Sequence, residues 1–314
     1  MTGHRKIIHT FFLILLPVIV AWLGISTGGA IALVLAALVW RWAISLSGIL
    51  APAKCPELEL ETIEASHFVE KVRWCMDRLG VQYTERPMAG ILGAFFTGRS
   101  VPLLRFRTGR VRSQIGNSPE ILRYLWGAYA ARLGDRAKFL EPTADRLALE
   151  KRLDRYGVDL QVWVYYHILD DRSLTQQAWG CNSPAVPAWQ RYTVIALYPV
   201  LTFFMRKAFV ITDAHYAKSV QHIESILAEV DGLLADGRVS ILGDEAINYV
   251  DITFAALSGL WLQPPEFGRD KADGVRIDPD RASAAMNADV ERWNEAYPNA
   301  SAFISKLYQS ERQN

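Results

Sequence analysis

The pattern of apolar and polar positions changes character once, near residue 53. From Ile7 to Trp40 there is no Asp, Glu, Lys or Arg, a run of 34 residues without a formal charge. A bilayer core about 30 Å thick needs roughly 20 apolar residues as helix, so this run exceeds one span. Gly24-Ile25-Ser26-Thr27-Gly28-Gly29 interrupts it, and Gly and Ser punctuate helices. The pattern therefore predicts a hairpin of two transmembrane helices, about 7–24 and 29–50. Arg41 stands between Trp40 and Trp42, where its side chain can snorkel while the indoles sit at the interface.

After Ala51-Pro52-Ala53 the pattern becomes short and alternating. Leu58-Glu59-Leu60-Glu61-Thr62-Ile63 has the period of a half-buried strand. Ser66 opens a helix over 67–79, with Val72, Cys75, Met76 and Leu79 at helical spacing and Gly80 as its stop. A second strand over 81–85, a looser stretch over 87–99, and a hairpin over 103–114 turning at Thr108-Gly109 follow. Asn117-Ser118-Pro119-Glu120 then reads as a helix start. From about 130 the pattern is helical, with a charged face over 132–155 and an apolar, aromatic stretch over 160–169. Tyr192–Met205 holds 14 uncharged residues including Pro199, too short for a further span and read as buried or interfacial. Asn248 and Asp251 form a capping box before Ile252-Thr253-Phe254. Trp293, Phe303 and Leu307 mark the core of the last helices.

Charge sharpens this division. The chain has 34 Lys+Arg and 33 Asp+Glu in 314 residues, net +1. Residues 1–53 hold three of those bases and no acid, which leaves 31 bases and 33 acids, net −2, for the other 261 residues. A disordered chain needs lower hydrophobicity and a larger net charge than this, and a nucleic-acid binder shows a basic excess. Arg5 and Lys6 precede the apolar run and Lys54 follows it, so the positive-inside rule places both ends of the hairpin in the cytoplasm. The competing reading is a cleaved signal peptide ending at Ala30-Ile31-Ala32. The three cysteines form no disulfide framework and no metal site; Cys75 reads as a buried apolar residue, and Cys55 and Cys181 have no partner pattern.

Three pieces of the first folded region carry a resemblance. They are Ser66-His67-Phe68-Val69-Glu70-Lys71-Val72-Arg73-Trp74, Val101-Pro102, and Asn117-Ser118 before Ile121-Leu122-Arg123-Tyr124-Leu125. In this order they resemble the thioredoxin-like domain of cytosolic glutathione S-transferases, and the segment over 240–256 resembles the start of that family's central C-terminal helix. After the anchor that the apolar run predicts over 1–53, the resemblance implies an α+β fold: a thioredoxin-like domain over 54–129 and an all-helical domain over 130–314. It implies that Ser66 holds the thiolate of glutathione, the co-substrate. It implies that Val101 and a cis Pro102 present backbone groups to the cysteinyl unit, and that Asn117 and Ser118 hold the γ-glutamyl end. Ser66, Asn117 and Ser118 have a second reading as simple helix caps. Two positions depart from the family pattern. Val69 removes dithiol chemistry of the CxxC type, and Asn117 replaces the more usual Glu or Gln.

A free thiol titrates near 8.5, so thiolate stabilisation is the chemistry such a site must supply. Tyr165 and Tyr166 are the expected substrate-pocket residues, against which a hydrophobic electrophile would dock. The resulting expectation is a membrane-anchored transferase, its body cytoplasmic, partnered by glutathione, a hydrophobic small molecule and the lipid bilayer, and forming the homodimer common in that family. The alternatives are a non-catalytic module of the metaxin type used for interaction or scaffolding, and an isomerase or peroxidase using the same thiolate.

Overall fold

The computed structural model describes residues 16–24, 26–49, 56–90, 92, 101–108 and 111–312. Contacts divide it into two compact units, one from the described residues of 1–58 with 106–113 and one from those of 59–105 with 114–314.

The first unit contains helix α1 (Leu16–Trp22) and helix α2 (Thr27–Ile49), which pack against each other. Gly24, at φ +79, makes the turn between them, a conformation that a side chain disfavours. Residues 7–15 of the expected first helix lie outside the described residues. Among the described residues no helix is long and apolar enough to cross a membrane. The expected pair of spans is not shown among the described residues.

From Glu57 onward the chain is mixed α+β. Strands β1 (Glu57–Thr62), β2 (Tyr83–Pro87), β3 (Leu103–Thr108) and β4 (Val111–Gly116) form a sheet of order β2-β1-β3-β4. Helix α3 (His67–Leu79) follows β1, and helix α4 (Ser118–Leu133) follows β4. The expected order of strand, helix, strand, strand, strand, helix is the order observed; most of the looser stretch over 87–99 lies outside the described residues. Helices α5 (Ala144–Ile168), α6 (Arg172–Ala178), α7 (Ala188–Ala196), α8 (Tyr198–Ala208), α9 (Asp213–Leu234), α10 (Tyr249–Leu262), α11 (Ala284–Ala296) and α12 (Pro298–Glu311) complete it.

Helix α10 is the centre of this packing. It touches α3, α5 and α12, and nearly all of its residues are buried. Its start is the expected capping box: Asn248 Oδ1 accepts from the Val250 amide, and Asp251 takes the amides of Asn248 and Ile241, each at 2.8 Å. Burial raises the Asp251 carboxyl to about 6 against the pull of those amides. Trp293, Phe303, Leu307 and Cys75 are buried as expected, and Cys181 is buried too; Cys55 lies outside the described residues.

Helix α3 is unusual in burying charge. Lys71 is fully buried, with Glu150 at 2.8 Å and Asp154 at 3.3 Å. Glu70 lies between Arg73 at 3.0 Å and Arg312 at 2.7 Å, and Arg73 also reaches Glu85 at 3.0 Å. The Lys-Val-Arg piece of the sequence is thus a set of buried ion pairs. Arg312 reaches back from the chain's end to complete it, and also meets Asp77 at 2.8 Å.

Candidate functional site

Ser66 ends a turn that the rest of the chain holds in place. Its amide donates to the Ile63 carbonyl at 2.9 Å, and beside it the buried Glu64 carboxylate accepts from Ser183 Oγ at 2.7 Å. Burial raises the Glu64 carboxyl above its usual range. Ser66 takes extended backbone angles and caps α3, its Oγ accepting from the Val69 amide at 3.4 Å. That bond is long, and an accepting hydroxyl still has its own proton to donate. The first amides of any helix lack intrahelical acceptors, and the helix dipole makes its N-terminus favourable to anions. Glu70 in that first turn does not cancel the effect, because Arg73 and Arg312 neutralise it.

A second helix begins at the same place. Asn117 precedes α4 with φ 72 and ψ 130 and makes no side-chain cap. The cap reading of Asn117 is therefore set aside. A non-glycine residue held at positive φ is strained, and such strain collects at ligand sites. Ser118 follows, 1% exposed, and its hydroxyl has no hydrogen-bond partner among the described residues. A buried, unsatisfied hydroxyl costs about 1–3 kcal/mol, so a ligand supplying the missing partner would recover that loss. The Val101–Pro102 peptide is cis.

These pieces meet. Ser66, Val101, Pro102, Asn117 and Ser118 all line one cavity of about 430 Å³. Its remaining wall is largely apolar and comes from the helical part, including Val164, Tyr165, Ile168, Met205, Phe209 and Phe267. Tyr165 packs against Phe209 with ring centroids 5.5 Å apart. The cavity thus has a polar end built from two helix N-termini and an apolar end built from side chains. A ligand with anionic groups on one side and a lipophilic one on the other matches that division.

Tyr166 is the exception among the expected residues and does not line the cavity. Its hydroxyl donates to Asp213 Oδ1 at 2.9 Å and its ring stacks on Tyr216 at 4.0 Å. Adjacent positions on a helix face different directions, so Tyr165 and Tyr166 cannot share one wall of α5.

His67 is a site residue that periodicity and motif did not reveal. It is buried beside Ser66, lines the cavity, and its Nε2 lies 2.9 Å from the Gly157 carbonyl. A carbonyl only accepts, so Nε2 carries the proton. Burial pushes the imidazole down to about 4 and keeps it neutral at pH 7. Gly157 permits the approach: a Cβ there would stand 2.8 Å from the Phe68 ring. Nothing local in the sequence marks this contact, which spans 90 residues.

No protein-family model matches the chain, and no curated protein matches it either. Solved structures that it resembles are glutathione S-transferases. One from Methylobacterium radiotolerans, in complex with glutathione sulfonate, has 17% identity and TM-score 0.48 over 82% of this chain and 92% of that one. One from Methylobacillus flagellatus, with glutathione bound, has 13% identity and TM-score 0.49 over 82% of this chain and 98% of that one. A family member from Pseudomonas fluorescens, with two glutathione molecules bound, has 14% identity and TM-score 0.47 over 86% of this chain and 96% of that one.

Proposed function

We propose that this protein is a glutathione-using transferase, with glutathione as co-substrate and a lipophilic electrophile as acceptor. The observation that carries the reading is the convergence of Ser66 and Ser118, each at a helix N-terminus, on one cavity. The thiolate would lie at α3, where the Ser66 hydroxyl and the helix dipole favour the charged sulfur. The γ-glutamyl carboxylate would lie at α4, giving the unpartnered Ser118 hydroxyl an acceptor. Val101 would meet the cysteinyl backbone. The acceptor would occupy the apolar end beside Tyr165 and Phe209.

The N-terminal unit holds the protein at the bilayer in this reading, with the body on the cytoplasmic side. What supports this is the exposed apolar surface of α1 and α2, where Trp22, Leu23, Ile31, Leu35, Val39 and Trp42 are each more than half exposed. The uncharged run of 34 residues from Ile7 to Trp40 in the sequence supports it as well.

The test is a calorimetric titration of the detergent-solubilised full chain with glutathione. Wild type binds below millimolar concentration. Ser118→Ala weakens binding roughly ten- to a hundredfold, the loss of a hydrogen bond to a charged group of about 1.5–3 kcal/mol. Absence of binding in wild type at millimolar glutathione sinks the proposal.

A further inference from the structure

Exposed apolar side chains in the second unit are concentrated in one place. Six of its eight exposed large hydrophobic residues, among the described residues, fall within the 22 positions from Trp189 to Val210. They belong to α7, to α8 and to Val210, two residues beyond α8. Both helices are anchored on their inner faces. Gln190 accepts from the Ala89 amide at 2.9 Å, and Leu201 and Met205 are buried. Their outer faces expose Trp189 (65%), Tyr192 (71%) and Phe203 (56%). Scattered exposed hydrophobics are ordinary, but a contiguous group marks an interaction surface.

The charge carried by this stretch of chain has one sign. From Arg172 to Thr212, 41 residues, there is no Asp or Glu, while Arg172, Arg191, Arg206 and Lys207 are all basic. The nearest acids flank the stretch, and one of them, Asp170, pairs with Arg206 at 2.5 Å. Lys207 lies over the Phe203 ring at 5.9 Å, beside the apolar face. Aromatic side chains such as Trp189 and Tyr192, with an apolar body and a polar edge, in a stretch that carries four bases and no acid of its own, match the interfacial layer of a bilayer with anionic headgroups.

We propose that α7 and α8 dock on an anionic phospholipid surface, so that the folded body contacts the bilayer through its own face. This rests on the reading of the N-terminal unit as a membrane anchor. Helix α8 links the two environments: Phe203 and Phe204 are on its outside, while Met205 lines the cavity. The lipophilic acceptor is then a molecule dissolved in the membrane, taken up where α8 meets lipid.

The experiment uses the full chain with Cys55→Ser in vesicles of phosphatidylcholine and phosphatidylglycerol. An environment-sensitive fluorophore is placed at Leu35→Cys on α2, at Phe203→Cys on α8, or at Lys306→Cys as an exposed control on α12. A nitroxide-labelled lipid should quench the labels at 35 and 203 and spare that at 306. Removing both charges with Arg206→Gln and Lys207→Gln should return the label at 203 to water, roughly fivefold in the docked population per base, with the label at 35 unchanged. A label at 203 that iodide reaches as freely as the label at 306 overturns the docking and leaves the anchor standing. Shielding from iodide without quenching by lipid means that protein covers the face, and also overturns it. If the label at 35 escapes the lipid quencher as well, both readings fail.

Discussion

His67 gives the sharpest quantitative test of how the cavity's floor is built. Its imidazole is enclosed between α3 and α5, with Nε2 donating to the Gly157 carbonyl at 2.9 Å. Burial holds its pKa at about 4 against an ordinary 6.5. Between those two values the unfolded chain takes up a proton that the native one refuses. The stability from His67 is therefore complete above pH 6.5 and is lost as pH falls toward 4. A shift of about 2.5 units at 1.36 kcal/mol each gives about 3 kcal/mol. Asp251 acts in the opposite sense. Its carboxyl is raised to about 6, so between 3.8 and 6 the native chain holds a proton that the unfolded one has released, and stability rises as pH falls. The two contributions nearly cancel in wild type, so its pH profile alone decides nothing. The informative quantity is the difference between wild type and His67→Gln, which keeps a donor for the Gly157 carbonyl but does not titrate. Urea unfolding in detergent, followed by tryptophan fluorescence, should show that difference moving by about 2–3 kcal/mol in favour of the variant from pH 7.5 to 4.5. A constant difference would refute the neutral, buried imidazole, and so would an imidazole that titrates near 6.5.

The remaining expectations concern packing, charge and the thiolate. Gly157→Ala places a Cβ 2.8 Å from the Phe68 ring and 3.0 Å from Leu257. The overpacking of about 1–3 kcal/mol should outweigh the gain of about 1 kcal/mol in helix propensity, and a more stable variant in urea would contradict the contact. Arg312→Ala leaves the fully buried Glu70 without one of its two cations. It should cost about 3–5 kcal/mol, with part recovered when Glu70→Gln is added, and a loss below about 1 kcal/mol would remove Arg312 from the core. Ser66→Ala should raise the pKa of bound glutathione's thiol by roughly 1–2 units, the worth of a hydrogen bond to a charged group. Ultraviolet absorbance of the thiolate measures this, and an unchanged titration would leave Ser66 as a helix cap alone.

Properties set by neighbours along the chain were legible before any fold was known. Alternation in Leu58-Glu59-Leu60-Glu61 and helical spacing over 67–79 specify elements, because side-chain direction repeats every two residues in a strand and every 3.6 in a helix. The capping box at Asn248 and Asp251 closes over four residues, and the order of elements through α4 follows from the same local signals. Ser66, Pro102, Asn117 and Ser118 could be named because the local breaks they sit at resemble, in order and spacing, the site pieces of a known family; local pattern alone reads the two serines and Asn117 as caps. Only tertiary packing decided what those breaks face. The ion pair of Lys71 with Glu150 joins residues 79 apart, that of Glu70 with Arg312 joins residues 242 apart, and the His67–Gly157 bond spans 90. No local pattern encodes such pairs, since each depends on which surfaces the hydrophobic effect brings together. The same packing turned Tyr165 into the cavity and its neighbour Tyr166 toward Asp213. It also left Trp189, Tyr192 and Phe203 exposed, so that an apolar stretch read as buried or interfacial became one face of core and one face open to its surroundings.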